Sequence, residues 1–365
     1  WNPAGAAPRR AGAGEPGADK RQRDALAGHP AAIPAVVLGY AETATGLGHS
    51  VADALGEAVY LHSTRRPVPG VTPYGGFEEE HSHATSHLLL PVPAGLLSGG
   101  GPLVLVDDEL STGRTVRNTL RALHAADPRP HYVVAALIDL RGTEDRAAMD
   151  SLAAELGARI DVVALASGRV GLPEGVLERG RELAERVGAA TPRPGARNAG
   201  GTVRRIDAGW PAVPAGGRHG FTPAHRERLE KALPGMAERV AAELPGGARR
   251  VLVLGFEELM YAPLRLGEAL ADLLGDAVRY STTTRSPVLA VDDPGYAIRN
   301  RLVFPAHDDP ADGPGERYAY NVDQGFDAIV LVVDEEGDTG ELENGLVREL
   351  TGLGDVVVAT VREER

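Results

Sequence analysis

The chain has 365 residues, enough for about two domains of roughly 150 residues each, and carries 38 basic against 51 acidic side chains, a net charge of −13. That balance argues against a protein that grips nucleic acid through phosphate contacts. There is no cysteine, so disulfides, thiolate zinc sites and cysteine nucleophiles are excluded together. The lysines are Lys20 and Lys231, and neither sits in a Gly-rich loop, which excludes a Walker-type P-loop.

No apolar run approaches the ~20 residues of a spanning helix. Arg9-Arg10 is followed by Ala-Gly-Ala-Gly-Glu-Pro-Gly, not by the apolar stretch of an export signal. The expectation is a cytoplasmic protein that meets no membrane. Trp1 in place of an initiating Met suggests that the natural start is missing.

Residues 1–30 are rich in Gly, Ala, Pro and Arg without a hydrophobic period, and read as a disordered leader. Strands are predicted at 36–40, 59–64, 103–106, 132–139 and 160–165, with helical spacing over 49–57, 115–126 and 145–156. Alternating helices and buried-type strands predict an α/β domain, residues 31–187, built on a parallel sheet. Residues 188–218 concentrate Pro and Gly and read as a linker. Beyond it the rhythm restarts in a second domain, residues 219–365. Helices are predicted near 223–233 and 235–244, and a strand at 251–255.

The second half echoes the first. Leu38-Gly39-Tyr40 returns as Leu254-Gly255-Phe256, and Thr64-Arg65-Arg66-Pro67 as Thr284-Arg285-Ser286-Pro287. Val106-Asp107-Asp108-Glu109 with Thr112-Gly113 returns as Val333-Asp334-Glu335-Glu336 with Thr339-Gly340. Three matches in one order predict a duplicated fold.

The segment from Leu103 to Thr115 carries the chemistry. A buried strand brings Asp107 and Asp108 to the carboxyl edge of a sheet. A loop of small and hydroxylic residues follows, and then a helix begins. Backbone N–H groups from Ser111 to Thr115, a permissive Gly113 and the new helix's dipole suit a phosphate. Ser111, Thr112 and Thr115 add hydroxyls. Asp107 and Asp108 would repel that phosphate and suit sugar hydroxyls or a magnesium-bound group. A phosphate close to a diol describes a ribose 5-phosphate.

These residues resemble the phosphoribosyl-pyrophosphate (PRPP) signature of type I phosphoribosyltransferases. The resemblance implies two Rossmann-like parallel-sheet domains of that kind, the second degenerate. It implies a Mg²⁺-dependent transferase that uses PRPP to ribosylate a nucleobase-like acceptor. Asp107 and Asp108 would be the catalytic and metal-side acids, and Ser111, Thr112, Gly113, Arg114 and Thr115 the 5-phosphate loop. Pyrophosphate would meet the loop after the first strand, Glu42, Thr43, Ala44, Thr45 and Gly46, together with Arg66. The long segment 65–98 would close over the substrates, with Arg65 entering it. His83, one of three histidines with His81 and His87, is a candidate acid or base; a solvated loop is the alternative reading.

Glu42–Gly48, the run His81–Thr85 and Thr284-Arg285-Ser286-Pro287 together resemble a bacterial subfamily. It joins a phosphoribosyltransferase-like domain to a C-terminal domain named for its Thr-Arg-Ser-Pro motif. That subfamily occurs in gene neighbourhoods linked to tellurium resistance and stress response. In the second half, Asp338 and Glu341 would place two carboxylates in the phosphate cradle and keep it empty. The expected partners are PRPP and a small acceptor, without nucleic acid or membrane; a homodimer is left open. The competing readings are a PRPP-binding regulator without turnover and, further off, a PRPP-synthetase-like pyrophosphokinase.

Overall fold

A computed structural model of the chain describes residues 33–66, 68, 70–78, 86–188, 200–307 and 315–362. The expected leader, and His81 and His83 with it, lie outside the described residues. The chain divides into two compact units, and the division is not linear. The first unit runs to Ser63 and adds Val71–Val170 and Gly217–Pro223; the second comprises Thr64–Gly70, Gly171–Gly216 and Ala224–Arg365.

The first unit is a five-stranded parallel sheet in the order β2-β1-β5-β6-β7. Its strands are β1 (Val36–Gly39), β2 (Val59–His62), β5 (Leu103–Leu110), β6 (His131–Asp139) and β7 (Arg159–Ser167). The helices are α1 (Ala44–Leu55), α2 (Arg114–Ala126) and α3 (Thr143–Leu156). Helix α2 shows why these segments fold so: Val116, Thr119, Leu120 and Leu123 recur at helical spacing, and all are buried. With Leu38, Leu61, Leu105, Tyr132 and Leu152 they form the core, each large apolar side chain contributing about 1.5–3 kcal/mol. An antiparallel hairpin of β3 (Gly75–Glu78) and β4 (Ser86–Leu89) lies within the long segment between β2 and β5. The outer edge of β2 is closed from far away in sequence: Tyr60 and Phe221 exchange backbone bonds of 2.8 and 2.7 Å, and His62 N–H reaches Gly217 O at 2.9 Å.

The second unit departs from the expected all-parallel sheet. Its seven strands are mixed, in the order β11-β12-β10-β9-β13-β14-β8. They are β8 (Val203–Ile206), β9 (Val251–Gly255), β10 (Val278–Thr284), β11 (Arg301–Pro305), β12 (Glu316–Tyr320), β13 (Ala328–Asp334) and β14 (Asp355–Val361). The parallel strands β10-β9-β13-β14 repeat the order β2-β1-β5-β6. Both units also insert an antiparallel pair between their second and third core strands. In the second unit that pair joins the sheet through Thr283↔Ala319 and Thr284↔Tyr318. The fifth position is filled by β8, which comes from residues read as linker and pairs in parallel with β14.

Between α3 and this unit's first core strand lie helices α4 (Val176–Gly188) and α5 (Pro223–Glu243). Two helices were expected around Pro234; α5 runs through it unbroken. The proline forfeits one internal hydrogen bond, offset by burial of Leu229, Leu233, Met236, Ala237 and Val240 along one face. Helix α6 (Tyr261–Leu274) follows β9.

Candidate functional site

In the first unit the connection from β1 leads to β2 on one side, whereas β5 continues toward β6 on the other. The carboxyl ends of β1 and β5 therefore flank a topological switch point, where open α/β sheets bind ligands. The two loops expected to hold PRPP leave from these two strand ends, and the structure joins them. Thr43 Oγ donates to Asp108 Oδ1 at 3.1 Å, and the Asp108 N–H donates to Asp107 Oδ1 at 3.0 Å. Both aspartates are half-buried. Tyr40, at the end of β1, is buried, and burial pushes its hydroxyl pKa well up, with the nearby Asp107 carboxylate adding to the rise.

Gly113 ends the turn after β5 with φ +68° and precedes α2, a conformation that disfavours any residue with a Cβ. Its N-cap residue, Gly113, has no side chain with which to cap the helix, and first-turn N–H groups can donate to an anion. Arg114 N–H is met by Thr112 Oγ1 at 3.3 Å, and Arg117 Nη1 steadies the turn through Thr112 O at 3.0 Å. Ser111 and Arg114 are exposed, Thr112 and Thr115 half-buried.

The support under this loop was not legible in the sequence. A Cβ on Gly113 would lie 3.1 Å from Arg141 Cδ. Arg141 is buried and grips Asp139, at the end of β6, with Nε at 2.9 Å and Nη2 at 3.0 Å. Arg146 adds a further contact to Asp139 at 3.0 Å. An acid ending the strand next to the signature was the available signal.

In the loop after β1, Thr45 N–H and Oγ1 both donate to Glu42 O, at 3.1 and 2.9 Å. Ala44 is buried at the start of α1, Glu42 is 7% exposed and Gly46 half-buried. Tyr60 Oη donates to Thr45 O at 2.7 Å, and a Cβ on Gly39 would stand 2.5 Å from that hydroxyl. His87, on β4, contacts Ser63 Oγ at 2.9 Å, and Ser63 Oγ accepts the Ala41 N–H at 3.0 Å. The histidine tied to this loop is thus His87, while His83 lies outside the described residues.

Arg65 and Arg66 fall in the second unit. Thr64 Oγ1 donates to Glu258 Oε2 at 2.7 Å, and Arg65 N–H to Glu258 Oε1 at 2.9 Å. Arg66 Nη1 pairs with Asp334 at 3.3 Å, and its guanidinium lies 4.2 Å over Phe256. Arg66, expected on pyrophosphate, thus meets a carboxylate and an aromatic face. The repeated motif keeps its local geometry: Arg66 N–H reaches Thr64 Oγ1 at 3.1 Å, and Ser286 N–H reaches Thr284 Oγ1 at 3.2 Å. Arg285 and Arg317 both bind Glu257, at 3.0 and 2.7 Å. Glu257 has φ +44°, held in place as its N–H donates to Thr283 Oγ1 at 3.1 Å. Pro287 follows the turn, with Val288 N–H on Tyr320 Oη at 2.6 Å.

The signature-like loop of the second unit is tied to its own side chains at several points. Gly337 N–H donates to Asp334 Oδ1 at 2.9 Å, and Asp338 N–H to Asp334 O at 3.1 Å. Thr339 caps the following helix by accepting the Leu342 N–H. The Gly337, Asp338 and Leu342 N–H groups are thus satisfied from within the loop, and Asp338 pairs with Arg205 at 2.6 Å. Pairing also shifts the acid by one residue. Leu38 lies opposite Leu105, and Leu254 opposite Leu331, which brings Asp334 level with Asp108 rather than Asp107. A one-residue step along a strand turns the side chain to the other face.

Residues 14–169 match the family model described as phosphoribosyl transferase, and residues 215–350 match the model of the TRSP domain that lies C-terminal to it. The fold of the first unit is that of a phosphoribosyltransferase domain. The chain belongs to the phosphoribosyltransferases that carry a C-terminal TRSP domain. No curated protein matches it. Similar solved structures include adenine phosphoribosyltransferase from Giardia lamblia with 9-deazaadenine (18% identity, 43% of this chain and 83% of that one, TM-score 0.30). The enzyme from Rhodothermus marinus is another (21%, 42% and 82%, TM-score 0.29), as is that from Leishmania tarentolae (18%, 42% and 73%, TM-score 0.31). Among the described residues no helix is long and apolar enough to cross a membrane.

Proposed function

We propose that the first unit transfers the phosphoribosyl group of PRPP to a nucleobase-like acceptor and releases pyrophosphate. The observation that carries this reading is the uncapped start of α2 behind a left-handed Gly113, placed at the carboxyl end of β5 beside two carboxylates. The loop from Ser111 to Thr115 holds the 5-phosphate through backbone N–H groups and hydroxyls. Asp107 and Asp108 accept hydrogen bonds from the ribose hydroxyls and stabilise positive charge that develops on the sugar as the pyrophosphate leaves. The loop Glu42–Gly46, fastened to Asp108 by Thr43, faces the leaving group. Positioning of the two reactants supplies much of the remaining acceleration.

Among the described residues no group of three or more His, Asp or Glu could hold a metal alone. Asp107 and Asp108 suit a magnesium ion that takes its other ligands from water and substrate oxygens. Bound there, magnesium would neutralise charge on the pyrophosphate.

Calorimetry with Mg²⁺ and PRPP tests the site, and pyrophosphate release with a panel of nucleobases tests the reaction. Asp107→Asn and Asp108→Asn should each weaken PRPP tenfold or more with folding intact. Failure of the native chain to bind PRPP overturns the reading. Binding without release under every acceptor favours a PRPP-binding regulator instead.

A further inference from the structure

His87 lies on β4 and is 2% exposed, beside the buried Leu89 and Leu90. An imidazole in such a place costs more than a leucine would unless its polar atoms are bonded. Its Nδ1 meets Ser63 Oγ at 2.9 Å, and that oxygen accepts the Ala41 N–H at 3.0 Å. Ser63 is fully buried, and its own N–H donates to Gly39 O at 3.0 Å. The serine is thus fastened to β1 by its backbone, while its hydroxyl holds the residue two places further on. A hydroxyl has one proton to donate. Running the bonds in one direction, from Ala41 through Ser63 to His87, assigns the imidazole proton to Nε2.

This run joins two elements that are distant in the chain. Ala41 opens the loop Glu42–Gly46. Within that loop Ala44 N–H returns to Tyr40 O at 3.0 Å and Thr45 N–H to Glu42 O at 3.1 Å, bonds that shape it from inside. The bond to Ser63 instead ties its first residue to the end of β2 and, through His87, to the hairpin. The other strand of the hairpin, β3, packs against α2, the helix that begins behind Gly113. The hairpin therefore touches both halves of the candidate site. Its β3 side meets the helix behind the 5-phosphate loop, and its β4 side reaches the loop after β1.

On the reading that the first unit binds PRPP, on which this rests, we infer that His87 is a positioning residue for the pyrophosphate end of the site, acting through Ser63 on the loop that begins at Ala41. The ring itself does not touch substrate. It keeps the Ser63 hydroxyl turned so that its oxygen faces the Ala41 N–H. The loop Ser111–Thr115 is held by other residues, Arg117 on Thr112 O and Arg141 beneath Gly113. Loss of His87 is therefore felt at one end of the ligand and not at the other.

Calorimetry with two ligands, Mg²⁺-PRPP and ribose 5-phosphate, separates the two ends. His87→Leu keeps the bulk and removes the bond to Ser63. It should weaken PRPP by about 2- to 10-fold, the range for one hydrogen bond, and leave ribose 5-phosphate unchanged. His87→Asn, whose amide stands near the place of Nδ1, should restore PRPP. Ser63→Ala should match His87→Leu, and the double variant should cost no more than either alone, because both break one chain of bonds. A folded His87→Leu that binds PRPP as tightly as the native chain overturns the role of His87 and leaves the proposed function standing. So does equal weakening of both ligands, or an Asn variant that binds PRPP no better than the Leu variant. A native chain that does not bind PRPP removes the proposed function and the role together. Should His87→Leu fail to fold, Ser63→Ala, which removes a single oxygen, decides by the same two ligands.

Discussion

Thr43 Oγ donates to Asp108 Oδ1 across 3.1 Å, tying the loop that follows β1 to the acid pair that ends β5. The bond is exposed, so it adds little to folding; in the proposed function its use is to hold the two halves of the ligand site in one geometry. Thr43→Val should weaken PRPP by about 2- to 10-fold, the equivalent of about 0.5–1.5 kcal/mol for one hydrogen bond. The melting temperature should barely move. Calorimetry alongside thermal denaturation separates the two effects, and a fall in stability without a fall in affinity would deny the loop its role.

Gly113 should tolerate no side chain. Its φ of +68° costs an L-residue about 1–2 kcal/mol, and a Cβ would press on Arg141 Cδ at 3.1 Å. Gly113→Ala should lower stability by about that amount and also weaken ribose 5-phosphate, because the turn aims the N–H groups of α2. Unchanged affinity for ribose 5-phosphate would place the phosphate elsewhere.

Asp139 should make the first unit sensitive to acid. Hydrogen bonds from the Arg141 side chain chiefly hold its carboxyl below the usual range, with Arg146 adding to the effect. A depressed folded pKa means that the unfolded chain takes up the proton first. The contribution is therefore complete above the ordinary value of about 4 and is lost as the pH falls through the lower, folded value. Melting curves between neutral pH and about pH 3 should show a decline that Asp139→Asn makes shallower. A decline equally steep in both would assign it to other carboxylates.

Asp334 should act as a structural acid. Its side chain accepts the Gly337 N–H and pairs with buried Arg66. Removing one partner of a buried ion pair leaves the other charge uncompensated, at about 3–5 kcal/mol. Asp334→Ala should destabilise the chain on that scale in urea unfolding, and inorganic phosphate should bring no recovery. Rescue by phosphate would mean that the second loop is an anion site after all.

The two signature loops show how alike sequences part in chemistry. In the first, the turn is left-handed at Gly113 and the helix start is uncapped. In the second, Asp334 takes the loop's donors and Thr339 caps the helix. Both carry an acid at the strand end and a Thr-Gly pair; the added carboxylates of Asp338 and Glu341 marked the second loop as different, but not which of its donors Asp334 would take. The duplication itself was legible as three motifs in one order. It reappears as two sheets sharing four strands of the same order, with a hairpin inserted at the same point.

From sequence alone, the strand–turn–helix from Leu103 to Ala126 was determined. Its chemistry is contiguous: the apolar run, the acid pair, the permissive glycine and the start of the helix follow one another within thirteen residues, and local sterics and hydrophobic period suffice to place them. What only the tertiary structure decided are pairings between residues far apart. Asp139 and Arg141 beneath Gly113, residues 217–221 on the edge of β2, β8 as the fifth strand beside β14, and Arg66 on Asp334 all depend on which surfaces meet after collapse. No local period encodes those meetings. They are chosen by the need to pair sheet edges and to satisfy buried charges, and that need exists only once the core has closed.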